Sequence, residues 1–265
     1  MLTNFLDAWR GAVAGELCWL GREEAPDVLP VVPLEWDGAA CVALPYRHVD
    51  LADELRASEV GFAVTDRHSL PAGEPGRVGI GRVSVVEDIE GDVFADKLLP
   101  QELAKYPPSR ALVDTLMLRR ENWWWLPRLL VRLERVERTS ELPARAEPGD
   151  ALLLRDGVEL RLDVVRAEDW GAEEIALRSV SGALLYGDGA SAIAIGHDYT
   201  RPDLERWEPW ARRGALRGDR LTVSERIGAP VEKLEPYGLL QRLRRHRDLE
   251  RTCVEAVRRA ERSRR

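Results

Sequence analysis

Cysteine, methionine and lysine are scarce in this chain, and long apolar runs are missing. The three cysteines, Cys18, Cys41 and Cys253, are odd in number and far apart in 265 residues. That spacing argues against a disulfide framework and a cysteine-based zinc site, and Cys18 and Cys41 read as small buried hydrophobes. The four histidines (His48, His68, His197, His246) form no i,i+4 pair and no HExxH, so a multi-histidine metal centre has no support. No apolar stretch approaches the ~20 residues of a spanning helix. Residues 1–7 lack the basic segment of a secretory signal. The expectation is a soluble, cytoplasmic protein with no membrane partner.

Lysine occurs only at Lys97, Lys105 and Lys233, against thirty-six arginines. The net charge is −7, but residues 238–265 hold ten arginines against four acids, which leaves the rest near about −13. The basic run has helical spacing, lacks tryptophan, tyrosine and phenylalanine, and is broken by acids. It reads as a solvated helix, and nucleic acid is not an expected partner. With 45% hydrophobic and 32% charged residues the composition is globular. The length suits one large domain or two small ones.

What is present is mostly strand. Leu2, Phe5, Leu6, Trp9 and Val13 recur at spacings of three and four, which predicts an opening amphipathic helix. Residues 16–21 and 28–36 read as strands, and Asp37-Gly38 turns the second into a return strand at 39–44. Pro30 and Pro33 demote the outgoing strand to an edge or to an irregular position near a ligand. A short helix with Asp50 as a candidate cap leads into a strand at 60–65. The long strand at 77–86 has glycines where a bulge or close approach is expected. Residues 94–103 and 109–119 have helical spacing, and a half-exposed strand runs over 129–136.

After a linker at 140–149, a second hairpin turns on Asp156-Gly157. A further one, residues 181–195, turns on Asp188-Gly189. A shift of 151 lays Asp37-Gly38 on Asp188-Gly189, followed in each copy by a polar loop and a helix, opening at Asp50-Leu51 and Asp203-Leu204. Trp207 and Trp210, at i,i+3, fall on that later helix. The domains expected are 1–143, and 150–265 with a possible degenerate repeat ending in the basic helix.

The ordered set of 30–38, the return strand, the helix ending at 53–58 and the strands at 60–65, 78–87 and 127–133 resembles the pyridoxamine 5′-phosphate oxidase-like, FMN-binding split β-barrel superfamily. The resemblance covers about half the chain. It implies an α+β fold of mainly antiparallel β structure, a split barrel with flanking helices, followed by a smaller second half. It also implies FMN, F420 or, alternatively, haem in a groove between paired barrels, supplied by a homodimer or by an intramolecular pseudo-dimer.

Family members place Ser/Thr, Arg and Lys where this chain has Val49, Asp50 and Leu51, and Asp50 would repel a phosphate. Arg47, His48 and Tyr46 lie just ahead and are the candidate substitutes, with His48 as the proton donor. In the second copy Thr200 and Arg201 retain a hydroxyl and a guanidinium. Val32 and Pro33 join the cofactor-binding candidates from the irregular strand. Trp123-Trp124-Trp125 cannot all face one core, because neighbours alternate. Trp123 and Trp124, with Arg128, are therefore candidates for a planar ligand as well as for an interface.

No metal ligand set and no nucleophile elbow is evident. Two functions follow as expectations. One is a flavin- or F420-dependent oxidoreductase acting on a small planar substrate. The other is a non-redox haem- or small-molecule-binding barrel, or a cofactor-free scaffold. A haem ligand pair would have to be His48 and His197.

Overall fold

The computed structural model describes residues 2–21, 25–110, 112, 120–156, 159–231 and 234–264. Helix α1 (Leu2–Gly11) opens the chain. Seven strands follow: β1 (Gly15–Leu20), β2 (Pro26–Val31), β3 (Leu34–Trp36), β4 (Ala39–Pro45), β5 (Val60–Val64), β6 (Gly76–Asp88) and β7 (Arg128–Leu142). They form one antiparallel sheet in the order β2-β1-β5-β6-β7-β4-β3. Its two edge strands, β2 and β3, are consecutive in the chain and separated only by Val32 and Pro33. The sheet therefore curls into a nearly closed barrel whose seam lies at those two residues.

Alternation along β1 and β5 explains the closure. Leu17, Trp19, Val60, Phe62 and Val64 point into the barrel, where α1 delivers Phe5 and Trp9. Trp9 Nε1 donates to Leu34 O at 2.7 Å, so the plug is bonded as well as packed. The Asp37-Gly38 turn forms as expected, both residues at positive φ.

A second antiparallel sheet is built from β8 (Ala151–Arg155), β9 (Arg161–Arg166), β10 (Glu174–Ala176), β11 (Arg178–Ser179), β12 (Asp188–Tyr199), β13 (Trp207–Arg217) and β14 (Arg220–Ile227), in the order β10-β14-β13-β12-β8-β9-β11. Read from the other edge, it contains β9-β8-β12-β13-β14, the same succession as β2-β1-β5-β6-β7. The two sheets face each other through Cys18, Val28, Ala63, Val78 and Ile80 on one side and Leu152, Leu154, Ile193, Ile195 and Ala211 on the other.

Between the sheets' strands lie a 3-10 turn (Tyr46–Leu51) running into α2 (Ala52–Ala57), and a π-helical turn (Phe94–Leu98) running into α3 (Leu99–Lys105). Helix α4 (Leu239–Ser263) closes the chain and returns to the first barrel. The fold is α+β and dominated by antiparallel sheet. No described helix is long and apolar enough to cross a membrane.

Several local expectations are corrected. Trp207 and Trp210 lie in strand β13, not on a helix, and Asp203-Leu204 sits in a turn held by Thr200. Residues 183–187 form no outgoing strand, so the 181–195 hairpin is absent and Asp188-Gly189 opens β12. The 151-residue shift therefore matches β4 with β12, whereas the sheet order matches β5 with β12. Asp50 caps nothing: it is exposed, and Leu51 occupies the cap position of α2. The expected helix at 109–119 falls mostly outside the described residues, as does Gly157 of the second hairpin turn.

Candidate functional site

Where the two sheets meet, the apolar facing surface ends in a buried polar cluster. Each member continues an alternation that supplies the interface. On β1, Glu16 shares the outward face with Cys18; after β5, Thr65 follows Ala63; on β12, His197 follows Ile193 and Ile195. Arg145 comes from the segment joining the sheets. Its backbone is fixed by Thr65 O (2.7 Å) and by the Arg67 amide (3.2 Å).

Glu16 Oε1 is the hub. It accepts from Arg145 Nη2 at 2.7 Å, Thr65 Oγ1 at 3.0 Å and His197 Nε2 at 2.9 Å. Trp207 Nε1 donates to His197 Nδ1 at 3.1 Å, which assigns the ring hydrogen to Nε2. Glu16 is 1% exposed and Arg145 6%. Burial by itself would raise the Glu16 carboxyl, but Arg145, His197 and Thr65 outweigh it and hold the group below the ordinary carboxylate range. Glu16 Oε2 has no partner among the described residues.

Asp66, itself buried, links the cluster to the exposed Arg67 and His68. Burial pushes this carboxyl up, while Arg145, His197, the His68 amide and the Tyr199 hydroxyl bring it below its usual value. The Tyr199 hydroxyl also meets Ser69 Oγ at 3.3 Å. Asp66 Oδ1 lies 3.2 Å from His68 Nδ1 and accepts the His68 amide at 2.9 Å. Arg67 Nε donates to His68 Nε2 at 3.3 Å. A carboxylate thus orients an imidazole, which in turn positions a guanidinium. Arg67 and His68 open onto a cleft of about 620 Å3, lined also by Leu70, Pro71, Pro75 and Ala144.

The residues nominated from the sequence fall elsewhere. Val32 and Pro33 lie at the barrel seam, and Pro33 O accepts from Lys105 Nζ at 2.8 Å. Tyr46 is buried against Ile89 and Ala256. Arg47 is exposed and donates to His48 Nε2 at 3.1 Å. Burial, followed by the Arg47 charge, pulls His48 down to about 4, so its neutral form prevails at pH 7. Trp123 is exposed; Trp124 is buried and meets the His246 ring edge-on at 5.6 Å. Arg128 is buried with its guanidinium over Phe94 (4.1 Å) and Trp125 (4.5 Å). Thr200 is buried, donates to Asp203 Oδ1 at 2.6 Å and organises its own turn, while Arg201 is exposed.

Tyr46 thus packs under α4 at Ala256, Trp124 and Arg128 lie with the separate cluster around Phe94, Trp125 and Cys253, and Thr200-Arg201 stands in the other half. Sequence reading passed over Glu16, Thr65, Asp66 and Arg145. The one local signal was a polar residue at period two within strands otherwise buried on both faces.

These positions do not accommodate a flavin as folded. The guanidinium of Arg128 is covered by Phe94 and Trp125, and Trp124 is buried in the cluster that holds Cys253. Asp50 faces Arg259 at 3.1 Å, and Val49 packs near Ala256, where a phosphate would need donors. Haem fares no better at His197, because both of its ring nitrogens are engaged.

No family model matches the chain, and no curated protein matches it. Among solved structures it is similar to a conserved hypothetical protein, Rv2991, from Mycobacterium tuberculosis (18% identity, 55% of this chain and 86% of that one, TM-score 0.35). It is also similar to an FAD-binding protein from Mycobacterium smegmatis (14%, 55% and 97%, 0.32). A haem-binding protein from the same organism matches over 97% of both chains, at 14% identity and a TM-score of 0.34. Likeness of this degree assigns neither a ligand nor a site.

Proposed function

We propose that this chain is a small-molecule-binding split-barrel protein that works without redox turnover, and that its ligand is a small organic anion seated in the 67–75 cleft. The observation that supports this reading is the chain Asp66–His68–Arg67 at the mouth of that cleft. It is anchored on a buried ionic cluster that only the meeting of two sheets creates. Arg67 gives Nε to His68, which leaves the Nη edge for a carboxylate or phosphate. Leu70, Pro71, Pro75 and Ala144 supply the apolar floor, the one acid of the lining, Glu74, is paired with Arg77 at 3.6 Å, and the volume lies within the range of small-ligand sites. The shared strand succession supports an intramolecular pseudo-dimer over a homodimer, with this junction as its functional seam.

The oxidoreductase reading separates cheaply from this one. The purified protein is examined by absorption before and after FMN, F420 and haemin, and by thermal shift with a panel of small carboxylates and phosphates. Binding without redox turnover predicts no chromophore that survives gel filtration and stabilisation by at least one anion. Arg67→Ala should weaken that anion's binding about 10- to 100-fold, as expected for a charge-assisted bond. A stoichiometric flavin band retained through gel filtration would return the protein to the oxidoreductases, and a Soret band to the haem binders.

A further inference from the structure

The second sheet repeats the edge arrangement of the first. Its edge strands, β10 and β11, are consecutive in the chain and separated only by Leu177. A cleft of about 500 Å3 draws its lining from both edges: Arg166, Arg178 and Ser179 on one side, Glu174, Ala176 and Arg220 on the other. It therefore marks the seam of this sheet. In the first barrel the seam is occupied, for Lys105 Nζ donates to Pro33 O at 2.8 Å and the Gln101 amide exchanges bonds with the Glu35 backbone at 2.9 and 2.7 Å. No helix residue lines the second seam, which stays open.

Three arginines and three acids line the cleft, and two pairs of them answer one another. Arg178 pairs with Glu168, and Arg220 lies 3.5 Å from Glu174; both pairs are exposed and hold weakly. Arg166 and Asp169 are left over. Arg166 is fixed by Asp150, whose fully buried carboxylate accepts Nε at 2.7 Å and Nη2 at 3.1 Å. The same carboxylate accepts the Ala146 and Glu147 amides, both at 2.9 Å, and is thereby saturated. Arg166 Nη1 has no partner among the described residues, so one edge of a positioned guanidinium is unused. Asp169 Oδ1 accepts the Gly171 amide at 2.7 Å, and no cation among the described residues pairs with it.

Backbone is on offer as well. Glu173 O accepts from the Val223 amide at 2.9 Å, and the Leu177 amide donates to Asp219 O at 2.8 Å. Alternation then turns the backbone groups of Glu174 and Ala176 away from β14, on the free edge of β10.

An anion alone would meet Asp169 in this cleft, and a cation alone would meet Arg166. We infer that the second seam binds a small zwitterion, either a free amino acid or a short peptide with free ends. The carboxylate takes the open edge of Arg166, and the ammonium takes Asp169. A peptide adds backbone pairing along β10. The cleft shares no residue with the one at 67–75, so the inference stands apart from that site's ligand.

Isothermal titration calorimetry on the full chain tests this with tri-alanine, alanine, N-acetyl-tri-alanine amide, propionate and ethylamine. The expected result is one zwitterion bound per chain, with the capped peptide, propionate and ethylamine each at least tenfold weaker. Alanine equal to tri-alanine makes the ligand a free amino acid, and tighter tri-alanine makes it a peptide. Asp169→Asn keeps an acceptor for the Gly171 amide but removes the charge. Arg166→Lys keeps a cation on Asp150 but removes the open edge. Each should weaken zwitterion binding at least tenfold, as expected for a charge-assisted bond.

The inference is overturned if the capped peptide, propionate or ethylamine binds as tightly as the zwitterions, or if neither tri-alanine nor alanine binds at millimolar concentration. Unchanged binding by Asp169→Asn overturns it too. That substitution lies on the surface and decides the matter by itself if circular dichroism shows that Arg166→Lys does not fold.

Discussion

Glu16 is the residue on which the junction turns. One of its oxygens accepts three bonds from three separate parts of the chain, and the other accepts none among the described residues. Removing one partner of such a pair strands a buried charge, which costs about 3–5 kcal/mol. Arg145→Ala should therefore lower unfolding stability in urea by that amount, whereas the exposed pair Arg10–Asp7 should contribute under about 1 kcal/mol.

The pH dependence follows from the direction of the shifts. Glu16 and Asp66 are both held below their ordinary values in the folded protein. The unfolded chain then binds protons first as acid is added. Their contribution is complete above the unfolded value near ~4.3 and is lost as the pH falls through the folded one. Urea midpoints measured from pH 7 downwards should hold steady and then drop below about pH 4. Glu16→Gln should flatten that drop while lowering the plateau. None of this was visible from Glu16 itself, which in the sequence is one acid among forty-six.

At the scale of elements, β6 and β13 carry matching devices. Both strands slip register against the strand that follows them, at Ile80/Gly81 and at Arg213/Gly214. A Cβ on Gly81 would stand 1.8 Å from Arg135 O, and one on Gly214 would stand 1.9 Å from Thr222 O. A glycine in a long strand signals a bulge in sequence, and the expectation at 77–86 was met for that reason. Gly81→Ala and Gly214→Ala should each destabilise by at least ~1–3 kcal/mol, because backbone must move to admit the methyl. Thermal denaturation checks this, with Ala12→Ser, at a buried site of similar size, as the comparison.

The failures at this scale have equally local causes. Two tryptophans three residues apart fit a helix stripe, yet in β13 they fall on opposite faces: Trp210 packs on Trp170, and Trp207 bonds to His197. Spacing alone could not separate the cases, since one i,i+3 pair is too short to establish a period. The Asp-Gly at 188–189 resembled the one at 37–38, but only the latter has a strand on both sides.

For the whole molecule, the interface between sheets behaves as part of a single core. Ile195 and Leu152 belong to β12 and β8, yet they pack against Cys18, Ala63 and Val78 of the first barrel. Ile195→Ala should cost about 2–5 kcal/mol. It should also shift one cooperative transition, seen together by far-ultraviolet circular dichroism and tryptophan fluorescence. Two separated transitions would mean that the halves fold independently.

The amino-acid sequence by itself determined the alternation that makes strands, the Asp37-Gly38 turn, the apolar stripe of α1 and the antiparallel character of the fold. Those depend on neighbours within a few residues, where backbone geometry sets the period. Only the tertiary structure decided that Glu16, Thr65, Arg145 and His197 share one buried site, and that α4 lies across Tyr46, Trp124 and Arg128. Both follow from surfaces meeting over long separations, which for the shared site start at 49 residues, for Glu16 and Thr65, and reach 181, for Glu16 and His197. Whether a polar side chain is buried there depends on which face arrives opposite it, and no local pattern encodes that.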